Sequence, residues 1–196
     1  TAGEMLDQIY RIQTITGERV SNVVIMGSGE PMDNYDNVIR FLRLISHEKG
    51  LNISQRNLTV STCGIVPGIL KFAKEGLQVT LALSLHAPND EVRKTLMPVA
   101  NSYRLEDILD ACHTYFEATG RRLTFEYSLV KGVNDNLKEA AALTKLIKDQ
   151  HGHVNLIPVN PIKERDYVQS DRRAIEAFRN YLEDHGINAT VRREMG

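Results

Sequence analysis

The sequence is poor in cysteine, has no tryptophan and carries no excess of either charge. Its two cysteines, Cys63 and Cys112, are too few for a disulfide scaffold or an ordinary zinc site, and such sparing use fits a reducing cytosol. This chain alone cannot supply the cysteine set that holds an iron–sulfur cluster. Lys and Arg number 24 against 25 Asp and Glu, a formal charge of -1. That balance excludes binding of nucleic acid through bulk positive charge, though it leaves room for a local basic patch. Long apolar runs are also missing. The longest are Val23–Met26, Ile65–Leu70 and Val79–Leu85, far short of the ~18 residues of a membrane span. The opening residues, TAGEMLDQIY, lack the basic and apolar regions of a secretory signal and read as a helix already under way. The sequence stops abruptly at TVRREMG, and the whole reads as a piece of something longer. With 42% hydrophobic and 25% charged residues over 196 positions, the composition is that of one ordinary globular domain.

What is present is a rhythm. Ala2 to Thr16 spaces Met5, Leu6, Ile9, Ile12 and Ile15 at three and four, a helical stripe that Gly17 stops. Asn22–Met26 is a short apolar run, as expected of a strand buried on both faces. Helical spacing returns over Asn37–His47. The alternation continues with strand Leu58–Thr62, helix Pro67–Lys74, strand Gln78–Leu85, helix Arg104–Ala118, strand Arg122–Leu129, helix Lys138–Lys148, strand Val154–Val159, helix Asp171–Asp184 and strand Ile187–Arg192. Strands alternating with helices predict a parallel sheet with helical crossovers, either an α/β barrel or an open sheet. Polar clusters follow the strands at regular positions: GSGEPMDN, STCG, SLHAPND, VKGVND and PVNP. In a barrel those segments converge on one face, where the active site sits. The even strand spacing and the short length favour a partial (β/α) barrel without its first strand. The polar stretch Pro161–Ser170 is expected as a longer loop over the same mouth.

Each candidate residue has a functional and a plain reading. In GSGEP there is no phosphate-loop Lys, and Pro31 breaks any dinucleotide fingerprint. Gly29 and Glu30 then form either a tight turn or a carboxylate offered to a ligand ammonium group. Ser61, Thr62 and Ser84 close their strands, as donors to a ligand or as local caps of the backbone. His86 follows Ser84 by two and is expected on the same side of the strand. Asn160, between Pro158 and Pro161, is either a stiffened recognition amide or a turn. Glu126 alternates with Phe125 and Tyr127, so it faces the barrel interior if they face the helices. His151 and His153 lack a third metal ligand nearby. Cys63 and Cys112 read as small hydrophobes. Arg172–Arg173 and Arg192–Arg193 read as solvated, with RNA phosphate the alternative.

The stretches VVIMGSGEPMDNYDNV, LTVSTCGIVPGI, LALSLHAPNDEVRKTLMPV, TFEYSLVKGVND, HVNLIPVNP and the closing TVRRE resemble, in that order, the radical SAM methyltransferases that modify carbon 2 of an adenine in 23S ribosomal RNA and, in some members, transfer RNA. The resemblance covers essentially the whole chain. It implies a radical SAM partial barrel with S-adenosylmethionine in its mouth. Gly29 and Glu30 would hold the methionine amino end, and Ser61 would meet its polar groups. Ser84, Leu85 and His86 would line the ribose and carboxylate side, and Asn160 would close the other side.

The departures from that family are equally informative. Its Cys-x-x-x-Cys-x-x-Cys ligands for a 4Fe-4S cluster do not occur here. The resemblance places that cluster loop, a carboxylate base and an N-terminal RNA-engaging region before this sequence, and a methyl-carrying cysteine after it. On that view the parent protein is a cytoplasmic enzyme, with no membrane association, whose cluster needs an electron donor. The 196 residues alone are expected to be inactive. Two other classes fit the bare rhythm: a non-radical aldolase or isomerase using Glu126 and His86 as an acid–base pair, and a non-catalytic barrel that binds RNA or protein.

Overall fold

The computed structural model describes residues 1–160 and 167–192. Among them run six strands: β1 (Val23–Ile25), β2 (Leu58–Thr62), β3 (Thr80–Ser84), β4 (Leu123–Leu129), β5 (Gly152–Pro158) and β6 (Ala189–Val191). The helices are α1 (Ala2–Thr16), α2 (Tyr35–Ile45), α3 (Val66–Phe72), α4 (Asp90–Leu96), α5 (Leu105–Thr119), α6 (Leu137–Ile147) and α7 (Arg172–Asp184). The expected strand at Gln78–Leu85 is shorter at both ends, and so is the one at Asn22–Met26. The expectation of six helices missed α4. Its seven residues are too few to show a periodic stripe, but its ends carry clear signals: Asn89 accepts the Val92 amide as N-cap, and Asp90 and Glu91 occupy the first turn. At the other end of the chain, α1 opens with a capping box between Thr1 and Glu4 and closes on left-handed Gly17.

All six strands are parallel, and their order in space is their order in sequence, β1-β2-β3-β4-β5-β6. Parallel crossovers share one hand, so a sheet that always steps in the same direction carries all its helices on one face. Side-chain alternation agrees. Leu58, Val60, Leu81, Leu83, Phe125, Tyr127, Val154 and Leu156 are buried in one core with Phe41, Ile69, Ile108, Leu143 and Phe178 from the helices. Burying each such side chain contributes about 1.5–3 kcal/mol. Phe72 stacks on Tyr115 at 5.2 Å, and Tyr127 meets Phe178 at 5.3 Å. The Tyr115 hydroxyl donates to the Val79 carbonyl, so this buried phenol is satisfied.

The opposite, concave face is polar. The register sets Ser84 beside Glu126, Glu126 beside Asn155, and Asn155 beside Thr190, one residue past the apolar row Leu83, Phe125, Val154 and Ala189. An open parallel sheet with covered and uncovered faces, stepping one way, is a partial barrel. No helix among the described residues is long and apolar enough to cross a membrane.

Candidate active site at the strand ends

The loop after β1 sets the first wall. Gly29 has φ 86, a left-handed conformation that glycine adopts freely, and a Cβ there would meet nothing. The turn delivers Glu30 as the cap of a short 3-10 turn, Pro31–Asn34. One carboxylate oxygen accepts the Met32 amide at 3.0 Å; the other accepts the Cys63 amide at 2.7 Å. Glu30 is therefore the tie between the end of β1 and the end of β2. A carboxylate has about four acceptor positions; the two amides and the Cys63 thiol engage three, so about one remains for a ligand.

The second wall is the end of β2. Ser61 is buried on the concave side. Thr62 takes the plain role, its hydroxyl accepting the Gly64 amide at 3.1 Å. Gly64 has φ 100, and a Cβ there would lie 2.9 Å from Ile108 Cδ1, so the chain turns tightly against α5. Cys63 is half-buried beside Glu30. Burial, reinforced by hydrogen bonding to that carboxylate, pushes its thiol up to about 12. Burial alone raises Cys112, in α5, to about 12 as well, so neither thiol is ready to ligate as thiolate.

The end of β3 forms the third wall. Ser84 joins Met26, Gly29, Glu30, Ser61 and Cys63 around a cavity of about 190 Å³. Leu85 is fully buried in the core, its amide donating to the Glu126 carbonyl and its own carbonyl accepting from Arg93. His86 does not continue the strand: its φ is 56, and its amide and that of Leu85 both reach the Glu126 carbonyl. The strand alternation that set His86 on the same side as Ser84 thus ends at Leu85. His86 Nδ1 accepts the Ser128 amide at 3.0 Å. Burial, with the nearby Arg93 cation, lowers its pKa to about 4, so the ring is neutral near pH 7.

Two residues outside the expected set organise this rim. Arg93, on α4, is fully buried and donates to the carbonyls of Cys63 at 2.6 Å, Ser84 at 3.2 Å and Leu85 at 3.2 Å. Asn134, also fully buried, donates to the carbonyls of His86 and Ser128 and accepts the Val130 amide. Both hold backbone rather than ligand, and a partner that is a carbonyl leaves no signature in sequence spacing.

Glu126 lies on the concave face, almost completely buried, with one oxygen accepting from Asn155 Nδ2 at 2.8 Å. Burial raises its pKa, partly opposed by that hydrogen bond and by Arg192. Asn160 is exposed two residues beyond β5, on the same rim but not among the residues around the cavity. His153 sits near the start of β5, and His151 stacks on Phe116 at 4.1 Å; both are at the opposite end of the sheet. No group of three metal-capable side chains occurs among the described residues. Arg172 pairs with Glu176 on the surface of α7, while Arg193 and residues 161–166, most of the stretch expected as a loop over the mouth, lie outside the described residues.

A one-directional parallel sheet with its polar groups at the strand ends defines a partial (β/α) barrel. A family model for the radical SAM superfamily matches residues 4–144, and the chain belongs to that superfamily. It is 66% identical over 193 residues to a probable dual-specificity RNA methyltransferase RlmN of Lachnospira eligens, covering 98% of this chain and 55% of the relative. It is 58% identical to the correspondingly named protein of Clostridium perfringens, over all of this chain and 56% of that one. The chain thus spans about half the length of the curated relatives it matches. Among solved structures, a radical SAM methyltransferase from Sphaerobacter thermophilus superposes over the whole chain with a TM-score of 0.95 at 43% identity, covering 58% of that protein. Streptococcus suis SuiB, solved with S-adenosylmethionine, shares the fold at a TM-score of 0.68 and 17% identity.

Proposed function

We propose that this chain forms the S-adenosylmethionine-holding part of a radical SAM methyltransferase that modifies carbon 2 of an adenine in 23S ribosomal RNA. The dual specificity for which its relatives are named supports a second RNA substrate, for which transfer RNA is the candidate. The observation that carries the reading is the cavity where Glu30, Ser61 and Ser84 meet from three strand ends. Its donor set suits the zwitterionic end of the cofactor: a carboxylate with a free acceptor position for an ammonium group, and hydroxyls for a carboxylate. At about 190 Å³ it is smaller than the ~300–1,000 Å³ of clefts that take whole ligands, so the nucleoside would extend along the rim toward His86 and Asn160.

When bound, the cofactor supplies both the methyl group and the radical chemistry for which the superfamily is named. This chain's residues bind and orient it. Glu30 fixes the amino end, while the Met32 and Cys63 amides keep that carboxylate from swinging away. Neutral His86 offers Nε2–H to the nucleoside side because its Nδ1 is occupied as an acceptor. A 4Fe-4S cluster does not fit the residues here: the chain has two cysteines, one at the end of β2 and one buried in α5. Its ligands, the RNA-engaging region and the methyl-carrying cysteine are proposed to lie elsewhere in the whole protein. That protein would work in a reducing compartment with a one-electron donor.

The test is Glu30→Ala in the whole protein. SAM affinity measured by calorimetry should fall more than tenfold, about 1.4 kcal/mol or more. Unchanged affinity, or failure of the whole protein to methylate 23S ribosomal RNA in vitro, would overturn the reading.

A further inference from the structure

The geometry points to Arg93 as a positioning residue that sets the distance between the two loops on which S-adenosylmethionine would lie, one after β2 and one after β3. The inference rests on the function proposed above. The guanidinium donates to Cys63 on the first loop and to Ser84 and Leu85 on the second. Each of those carbonyls adjoins a group already placed at the cavity. The Cys63 amide holds Glu30, Ser84 lines the cavity, and Leu85 leads directly into His86. Asn89 caps α4 and so fixes the helix from which Arg93 reaches.

Stability alone is a poor reason for this arrangement. The cation is fully buried, its hydrogen-bond partners among the described residues are neutral carbonyls, the Asp90 carboxylate favours it only from a distance, and Nη1 has no partner among the described residues. Taking a charge out of water is costly, and leaving one N–H bare adds to the cost. An apolar side chain of similar length would avoid both penalties, at the cost of leaving the Cys63, Ser84 and Leu85 carbonyls without this donor. What only arginine provides is a rigid planar fork whose donors diverge at fixed angles, so that two loops are held at one separation. A lysine's three donors radiate from a single nitrogen on a flexible stem and would not fix that separation.

The experiment uses the whole protein with its cluster and no reductant, so that binding is read without turnover. Three ligands are titrated: SAM, methionine, which would sit in the cavity between both loops, and 5′-methylthioadenosine, which would lie along the rim beyond β3. In Arg93→Met the affinity for SAM and for methionine should fall at least tenfold, while affinity for 5′-methylthioadenosine should change less than threefold. Arg93→Lys should lie between Met and wild type for SAM. Unchanged SAM affinity in Arg93→Met overturns the proposal. An equal loss for all three ligands overturns it too, because that reports general loosening of the site rather than a lost spacing. If Arg93→Met fails to fold, Arg93→Lys decides: wild-type SAM affinity, or failure to fold as well, makes Arg93 merely structural. If the unsubstituted protein does not bind SAM, the functional reading falls first and takes this inference with it, an outcome distinct from the others.

Discussion

At Glu30 one side chain closes a turn and ties β1 to β2, so its local reading holds, and the ligand-directed role proposed for it draws on the same carboxylate. His86 next door is governed by burial. Its folded-state pKa of about 4 lies below the 6.5 of a free imidazole. The unfolded chain therefore takes up the proton first as pH falls. The contribution to stability is full above about 6.5 and is lost as pH drops toward 4. Protonation also ends the acceptance of the Ser128 amide by Nδ1. Stability from urea unfolding should drop on the order of 2 kcal/mol more between pH 7 and pH 4.5 in the wild type than in His86→Asn, which keeps a side chain tolerant of positive φ. Equal pH dependence of the two proteins would refute the assignment. Glu30, Ser61 and Ser84 were legible in the sequence because polar residues closing apolar strands have few reasons to be there. Arg93 and Asn134 were not, because their partners are backbone carbonyls and amides contributed by any residue type.

The elements themselves were readable wherever they were long enough to repeat. Strand β2 occupies Leu58–Thr62 as its apolar pattern predicts, and α1 ends at Gly17 for the conformational reason its sequence suggests. Helix α4 escaped because it shows a cap but no stripe, and β3 was overextended because Val79 and Leu85 are apolar core residues outside the ladder. The β2–α3 junction is the most constrained connection. Gly64 combines φ 100 with a Cβ position 2.9 Å from Ile108 on α5. Gly64→Ala should thus cost about 1–3 kcal/mol, read as a lower denaturant midpoint with unchanged slope. Because the amide of neighbouring Cys63 holds Glu30, the same variant should weaken SAM binding. Wild-type stability and affinity together would show that the junction is slack.

For the molecule as a whole, the decisive asymmetry is between its two faces. Helices cover one side of the sheet, and the concave side keeps Ser84, Glu126, Asn155 and Thr190 in a row. The flank beside β1 is different again: Val24 is 56% exposed, Met26 44% and Ile12 48%, next to a strand that, among the described residues, ladders with β2 alone. Exposed apolar edges invite pairing with other chains. The chain studied alone should show concentration-dependent association by sedimentation, which Val24→Lys should reduce. A sedimentation coefficient independent of concentration in the unsubstituted chain would remove that expectation.

Sequential strand order also makes the architecture divisible. Because each strand bonds only to the strands before and after it in the chain, peeling a unit from either margin breaks a single ladder and reroutes no connection. A fold wired in this way can gain units at either margin, or shed β6, while the walls around Glu30, Ser61 and Ser84 keep their places, provided the rim contacts made by Cys63, Arg93 and Asn134 stay intact.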